Sequence, residues 1–183
     1  MFSKALGLRG GVLDIFKTSR LTIREISSSD LDKLSPILSD ESTMKYTATG
    51  AQNNEQMLQF VRNCASQYLK NGFGHWAIFI TKTNELIGLC GLNRHEVDAE
   101  EHVHINYRLG SNYQGKGFAS EAVNGTKNYC ATILNLNKLS AIIEPLNTDS
   151  IKVVERLGFK LIKQTIFKNL NVNVYQINLL PET

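Results

Sequence analysis

Two glycines flanking a lysine, Gly115 and Gly117 around Lys116, are the most chemically suggestive feature of this 183-residue chain. Helical spacing begins just after them. Phe118, Ala119, Ala122, Val123, Tyr129, Cys130, Ile133 and Leu134 recur on one face. Glycines at the mouth of a helix let backbone N–H groups approach an anion closely, and the helix N-terminus adds positive partial charge. The chemistry that fits is binding of a phosphate-bearing ligand. Two motifs compete for it. Gly110, Gly115 and Lys116 nearly spell the nucleotide-triphosphatase loop G-x-x-x-x-G-K-[ST], but Gly117 stands where the magnesium-holding hydroxyl belongs. Gln114, Gly117 and Ala119 instead satisfy Q/R-x-x-G-x-G/A. His102 and His104 share one face of the preceding segment. No third ligand accompanies them, so no metal site is expected.

The elements that position this loop follow from periodicity. Val103, Ile105, Tyr107 and Leu109 alternate with polar residues, which predicts a strand ending at Gly110. Upstream, residues 20–24 alternate like a short strand, and Ser28, Ser29 and Asp30 offer caps for a helix carrying Leu31, Leu34 and Leu38. Residues 43–52 read as loop. Asn53 and Asn54 cap a second helix, which Asn71-Gly72 ends. Strands are predicted over about residues 74–82 and 85–92, followed by a polar, acidic loop over 94–101. Past the central helix, residues 139–144 form a short apolar strand that Pro145 stops. A helix over about 149–157 and a final hairpin follow. The order implies one α/β domain with a mixed, mostly antiparallel sheet of about seven strands and four helices. That topology disfavours the triphosphatase motif, which needs strand–helix repeats and a parallel sheet.

Bulk properties narrow the function classes. A net charge of +3 with no dense Lys/Arg run gives no basis for nucleic-acid binding. No stretch approaches a membrane span, and residues 1–16 lack the continuous apolar core of a signal peptide. Cys64, Cys90 and Cys130 are scattered, odd in number and set in apolar patterns, so buried thiols in a reducing compartment are expected. A cytoplasmic protein acting as a monomer or homodimer is the expectation.

The wording Tyr-Gln-Gly-Lys-Gly-Phe-Ala-Ser-Glu-Ala from Tyr113 resembles the coenzyme A loop of the GNAT superfamily of N-acetyltransferases, most closely its RimJ/RimL-type branch. Arg20-Leu21-Thr22-Ile23-Arg24 with Asp30, His75-Trp76-Ala77-Ile78, Ile87-Gly88-Leu89-Cys90-Gly91-Leu92, and Asn147, Ser150-Ile151 and Leu157-Gly158-Phe159 are similar to further family motifs, in family order. The resemblance spans about residues 19–180. It implies a single acetyltransferase domain over 19–183 after an N-terminal extension, 1–18. Acetyl-CoA is the implied cofactor, held between two splayed strands, the fourth and fifth of the family's sheet.

The family's residue roles carry over by position. Backbone amides of Gln114, Gly115, Lys116, Gly117, Phe118 and Ala119 would hold the pyrophosphate; the Lys116 side chain either pairs with a phosphate or is simply solvated. Backbone groups near Tyr107, Arg108 and Leu109 would line the pantetheine slot, and one N–H there would polarise the thioester carbonyl. Asn147 would bond the pantetheine arm, cap a helix, or do both. The reaction implied is direct acetyl transfer to a primary amine, on a protein N-terminus or a small molecule. His104 is the first candidate base, at a position where the branch commonly carries glutamate, and Glu144 is the second. Val154 occupies the place of the family's acidic tyrosine, which leaves Ser150, one turn earlier, as the candidate acid or as a plain first-turn serine. These departures keep a non-catalytic acyl-CoA-binding module as the alternative. The acidic residues Glu96, Asp98, Glu100 and Glu101 either attract a cationic amine or face solvent.

Overall fold

The computed structural model describes residues 12–179. Eight strands form one sheet: β1 (Asp14–Lys17), β2 (Leu21–Glu25), β3 (His75–Ile80), β4 (Glu85–Val97), β5 (Glu100–Leu109), β6 (Lys138–Ile143), β7 (Lys160–Phe167) and β8 (Leu170–Asn178). Their order across the sheet is β1-β2-β3-β4-β5-β6-β8-β7. The helices are α1 (Leu31–Leu38), α2 (Glu41–Met44), α3 (Asn54–Asn71), α4 (Phe118–Thr132) and α5 (Thr148–Arg156). All strand pairs are antiparallel except β5 with β6, which run parallel and pair only at His104–Ser140 and Ile105–Ala141. The mixed, mostly antiparallel sheet and the parting of its central strands agree with expectation, and the antiparallel β4–β5 pair removes the triphosphatase topology.

Period-two alternation sorts the apolar side chains onto two faces. Trp76 and Ile78 on β3 join Leu21, Ile23, Val123, Cys130 and Leu139 beneath α4 and α5. Ala77 and Phe79 join Leu34, Leu38, Met57, Val61 and Cys64 beneath α1 and α3. Each Val, Leu, Ile, Phe or Met among them, once fully buried, stabilises the fold by about 1.5–3 kcal/mol relative to exposure. The caps expected for α3 are present. Asn53 Oδ1 accepts from Gln56 N–H at 2.9 Å, Gln56 Oε1 accepts from Asn53 N–H at 2.8 Å, and Gly72 closes the helix with φ 75°. The corner before α1 is held by Arg24, whose guanidinium grips Asp30 at 2.6 and 2.9 Å.

Three expectations change. Residues 14–17, assigned above to the extension, form β1, which pairs with β2, and Phe16 packs edge-on against Trp76. The extension's first eleven residues lie outside the described residues. Residues 94–97 are not loop: β4 runs through them to Val97, and a two-residue turn at Asp98-Ala99, both at positive φ, returns the chain into β5. A short helix, α2, also runs into the start of the stretch read as loop, over residues 43 and 44. Cys64, Cys90 and Cys130 are buried, unpaired thiols as expected, and burial pushes each up to about 12.

Candidate active site

The glycine loop is built from backbone and braced from outside. Gly115 and Gly117 hold φ values of 71° and 79°, the left-handed region that costs other residues about 1–2 kcal/mol. Gly117 is the N-cap of α4. A helix leaves its first amides without internal acceptors. Here the amides of residues 115–119 find no backbone acceptor among the described residues outside the helix. Gln114 ties the loop to the sheet, its Nε2 donating to Leu109 O at 3.0 Å. Arg20 braces the other side, donating to Lys116 O at 3.1 Å while its Nε pairs with Glu121 at 2.6 Å and its guanidinium covers the Phe118 ring. Burial alone would raise the Glu121 pKa. Hydrogen bonds from Thr18, Arg20 and Ser19 outweigh it and hold the carboxylate below its ordinary range.

Beside the loop the sheet opens. Beyond Ile105 and Ala141, β5 and β6 no longer pair, and a cleft of about 340 Å³ occupies the gap. His104, Tyr107, Arg108, Glu144, Asn147 and Ser150 all face this one cleft. Leu109 is buried at the end of β5, directly before the loop. Asn147 caps α5, accepting from Ser150 N–H at 3.3 Å through Oδ1, which leaves its amide N–H groups available. Tyr107 donates to Ser150 O at 2.9 Å, fixing the first turn of α5 against β5. The Ser150 hydroxyl has no partner among the described residues. Val154 is fully buried in the core, so its position contributes nothing to the cleft. A second depression of about 520 Å³, between β1 and α4, holds the already saturated Glu121.

The histidines depart most from expectation. His104 sits at the crotch of the parting strands, 8% exposed, and its Nε2 lies 2.8 Å from Nδ1 of His95. His95 in turn lies 3.3 Å from Lys168 Nζ. Burial, then the neighbouring His95 and Lys168, push the His104 imidazole down to about 3, so it is neutral at physiological pH. His102 is engaged elsewhere, with Nδ1 at 2.9 Å from Ser140 Oγ. The acidic residues around the β4–β5 turn are partly ion-paired. Asp98 pairs with Lys163 at 3.0 Å and Glu101 with Arg94 at 2.5 Å.

Several cleft residues were not anticipated: His95, Asn93 and Asn106 from the β4–β5 hairpin, Phe60 from α3, His75 from β3, and Lys168 from the β7–β8 turn. His104, Asn106 and Arg108 form one row because alternate residues of a strand share a face. That signal was available in the sequence at the strand already recognised.

Residues 20–160 match the acetyltransferase (GNAT) domain family, and the chain belongs to that family. It is 35% identical over 179 residues to the uncharacterized N-acetyltransferase p20 of Bacillus licheniformis, covering 92% of this chain and 97% of the relative. Its fold is similar to that of spermidine N-acetyltransferase from Vibrio cholerae, solved with CoA and spermine (TM-score 0.73, 21% identity, 88% of this chain and 97% of that one). It is also similar to the ribosomal-protein-S5-alanine acetyltransferase from Vibrio fischeri (TM-score 0.72, 21% identity, 89% and 95%). The family's cofactor is acetyl-CoA, and this chain's residues fit it. Two left-handed glycines open a helix whose first amides lack backbone acceptors, and the unpaired edges of β5 and β6 lie next to them.

Proposed function

We propose that the protein transfers an acetyl group from acetyl-CoA to a primary amine, on a protein N-terminus or a small molecule, by direct attack within a ternary complex. The observation that carries this reading is the convergence of Glu144, His104, Asn147 and Ser150 on one cleft between β5 and β6. When bound, acetyl-CoA supplies the acetyl group as an activated thioester. Amides of Gln114, Gly115, Lys116, Gly117, Phe118 and Ala119 hold the pyrophosphate. Backbone groups of Tyr107, Arg108 and Leu109 and the Asn147 amide hold the pantetheine arm. An attacking amine must be neutral, so the cleft must accept a proton. Burial makes His104 a weak acceptor, which moves the main burden to Glu144 at the end of β6, on the same cleft as the His95–His104 pair. The unpartnered Ser150 hydroxyl would hydrogen-bond the leaving sulfur and relay to it a proton released by the attacking amine, regaining its own.

The RimJ/RimL-type branch, a cytoplasmic setting and a monomer or homodimer belong to the same proposal. They are supported by the motifs quoted above, the buried free thiols, and the exposed Leu161, Ile162 and Ile166 on the edge strand β7. Sedimentation at high concentration tests the dimer. Glu144→Ala is expected to lower kcat/KM about 100-fold and Ser150→Ala about 10-fold, with His104→Ala between them and acetyl-CoA affinity unchanged. Turnover surviving all three substitutions would sink the assignment. The buried Val154 favours one competing reading, a non-catalytic acyl-CoA-binding module, recognised by tight acetyl-CoA binding without acetylation of any amine.

A further inference from the structure

The row His104, Asn106, Arg108 on β5 contains two groups that the mechanism above does not use as side chains. Arg108 faces the cleft, and its guanidinium contacts Met44 Sδ at 3.1 Å; no carboxylate among the described residues pairs with it. Burial pushes it down to about 10, a measure of how poorly solvated this charge is. Asn106, one step along the same row, has both its Oδ1 and its Nδ2 buried without a protein partner. Gln52, which also faces the cleft, carries a third such atom, Oε1.

Unpaired buried polar groups each cost on the order of 1–3 kcal/mol, and an unpaired buried charge more. Three of them around one cavity indicate that their partner arrives with a ligand. The sign of the cleft supports this. Two cations, Arg108 and Lys168, face it against one carboxylate, Glu144. A guanidinium fork beside an amide N–H donor matches a planar carboxylate and opposes a polycation.

We propose that Arg108 and Asn106 form a carboxylate subsite, so that the acceptor is an amine that also bears a carboxylate: a free amino acid, or a polypeptide whose first residue is acidic. This rests on the acetyltransferase reading and goes further by naming the acceptor class. It sets the protein apart from an enzyme that acts on spermidine.

The test compares matched acceptors that differ only in the acid group, following thiol release from acetyl-CoA. L-methionine and L-aspartate are set against their carboxamides, short peptides beginning with aspartate against those beginning with asparagine, and spermidine is included alone. The acid of at least one pair is expected to exceed its amide by about 10-fold or more in kcat/KM. Preference confined to free amino acids or to peptides identifies the source. Arg108→Gln is expected to bring each preferred pair within about threefold, mainly through KM, and Arg108→Lys to restore part of the preference. Because each ratio is taken within one protein, partial misfolding of a variant cancels, and the unsubstituted protein is informative alone. Equal or better turnover of amides or spermidine overturns the subsite and leaves the transferase reading intact. If acetyl-CoA binds but no amine is acetylated, the transferase reading falls instead. Calorimetry with L-aspartate against its diamide then decides the subsite, since equal or absent binding of both rejects it.

Discussion

The two sides of the cleft are built on different principles. The cofactor side is contiguous and made of backbone: six successive residues, 114–119, with two left-handed glycines opening α4. The acceptor side is dispersed and made of side chains, with His95, Asn106, Arg108, Gln52, Phe60 and Lys168 arriving from two strands, one helix and two connections. A backbone site binds a group that never changes, and side chains can be exchanged without disturbing it. An assembly of side chains is the part in which acceptor choice resides.

The comparison can be broken most forcefully by pH. His104 is held neutral by burial, down to about 3 against an ordinary 6.5. Between pH 6.5 and about 3 the unfolded chain takes up a proton that the folded chain refuses, so stability falls as pH drops through that window. The expected slope is about 1.4 kcal/mol per pH unit for each such proton. Urea unfolding across the window should show this contribution together with that of His75, which burial also pushes down to about 3, and His104→Gln should reduce the slope by one proton's share; an unchanged slope would mean the imidazole is not held neutral. Next in size, Gly117→Val places a β-branched side chain at a left-handed position. It is expected to weaken acetyl-CoA binding about 30-fold, roughly 2 kcal/mol, while leaving acceptor preference unaltered. A changed preference would show that the two sides are not separable. The smallest effect tests whether the loop works through backbone alone. Lys116 is exposed, its ammonium over the Tyr113 ring, and Lys116→Ala should cost no more than about threefold in acetyl-CoA affinity by calorimetry. A tenfold loss would give its side chain a direct phosphate contact.

The same contrast explains what the sequence made legible. The loop could be read because its function lies in glycines at fixed spacing beside a helical period, and both signals are local. The sheet could be read because β3, β5 and β6 alternate or run apolar as buried strands do. His95 could not be placed. Its strand, β4, turns polar after Leu92, and the hairpin turn uses Asp98-Ala99 at φ 51° and 62° with no glycine to mark it. Lys168 sits in another left-handed turn, 73 residues from the histidine it contacts. Asp14–Lys17 was missed because a four-residue edge strand carries too few alternations to register.

The two-residue pairing of β5 with β6 means that this sheet has more edges than its strand order implies. Outer edges lie at β1 and β7; the parting adds an inner pair, the free flank of β5 past Ile105 and that of β6 past Ala141. An exposed edge invites any passing strand to add itself. These inner edges face each other within the cleft, so that a single extended arm laid between them could pair with both. A strand-pairing surface is thereby set inside the molecule rather than on its outer rim, where such surfaces invite aggregation.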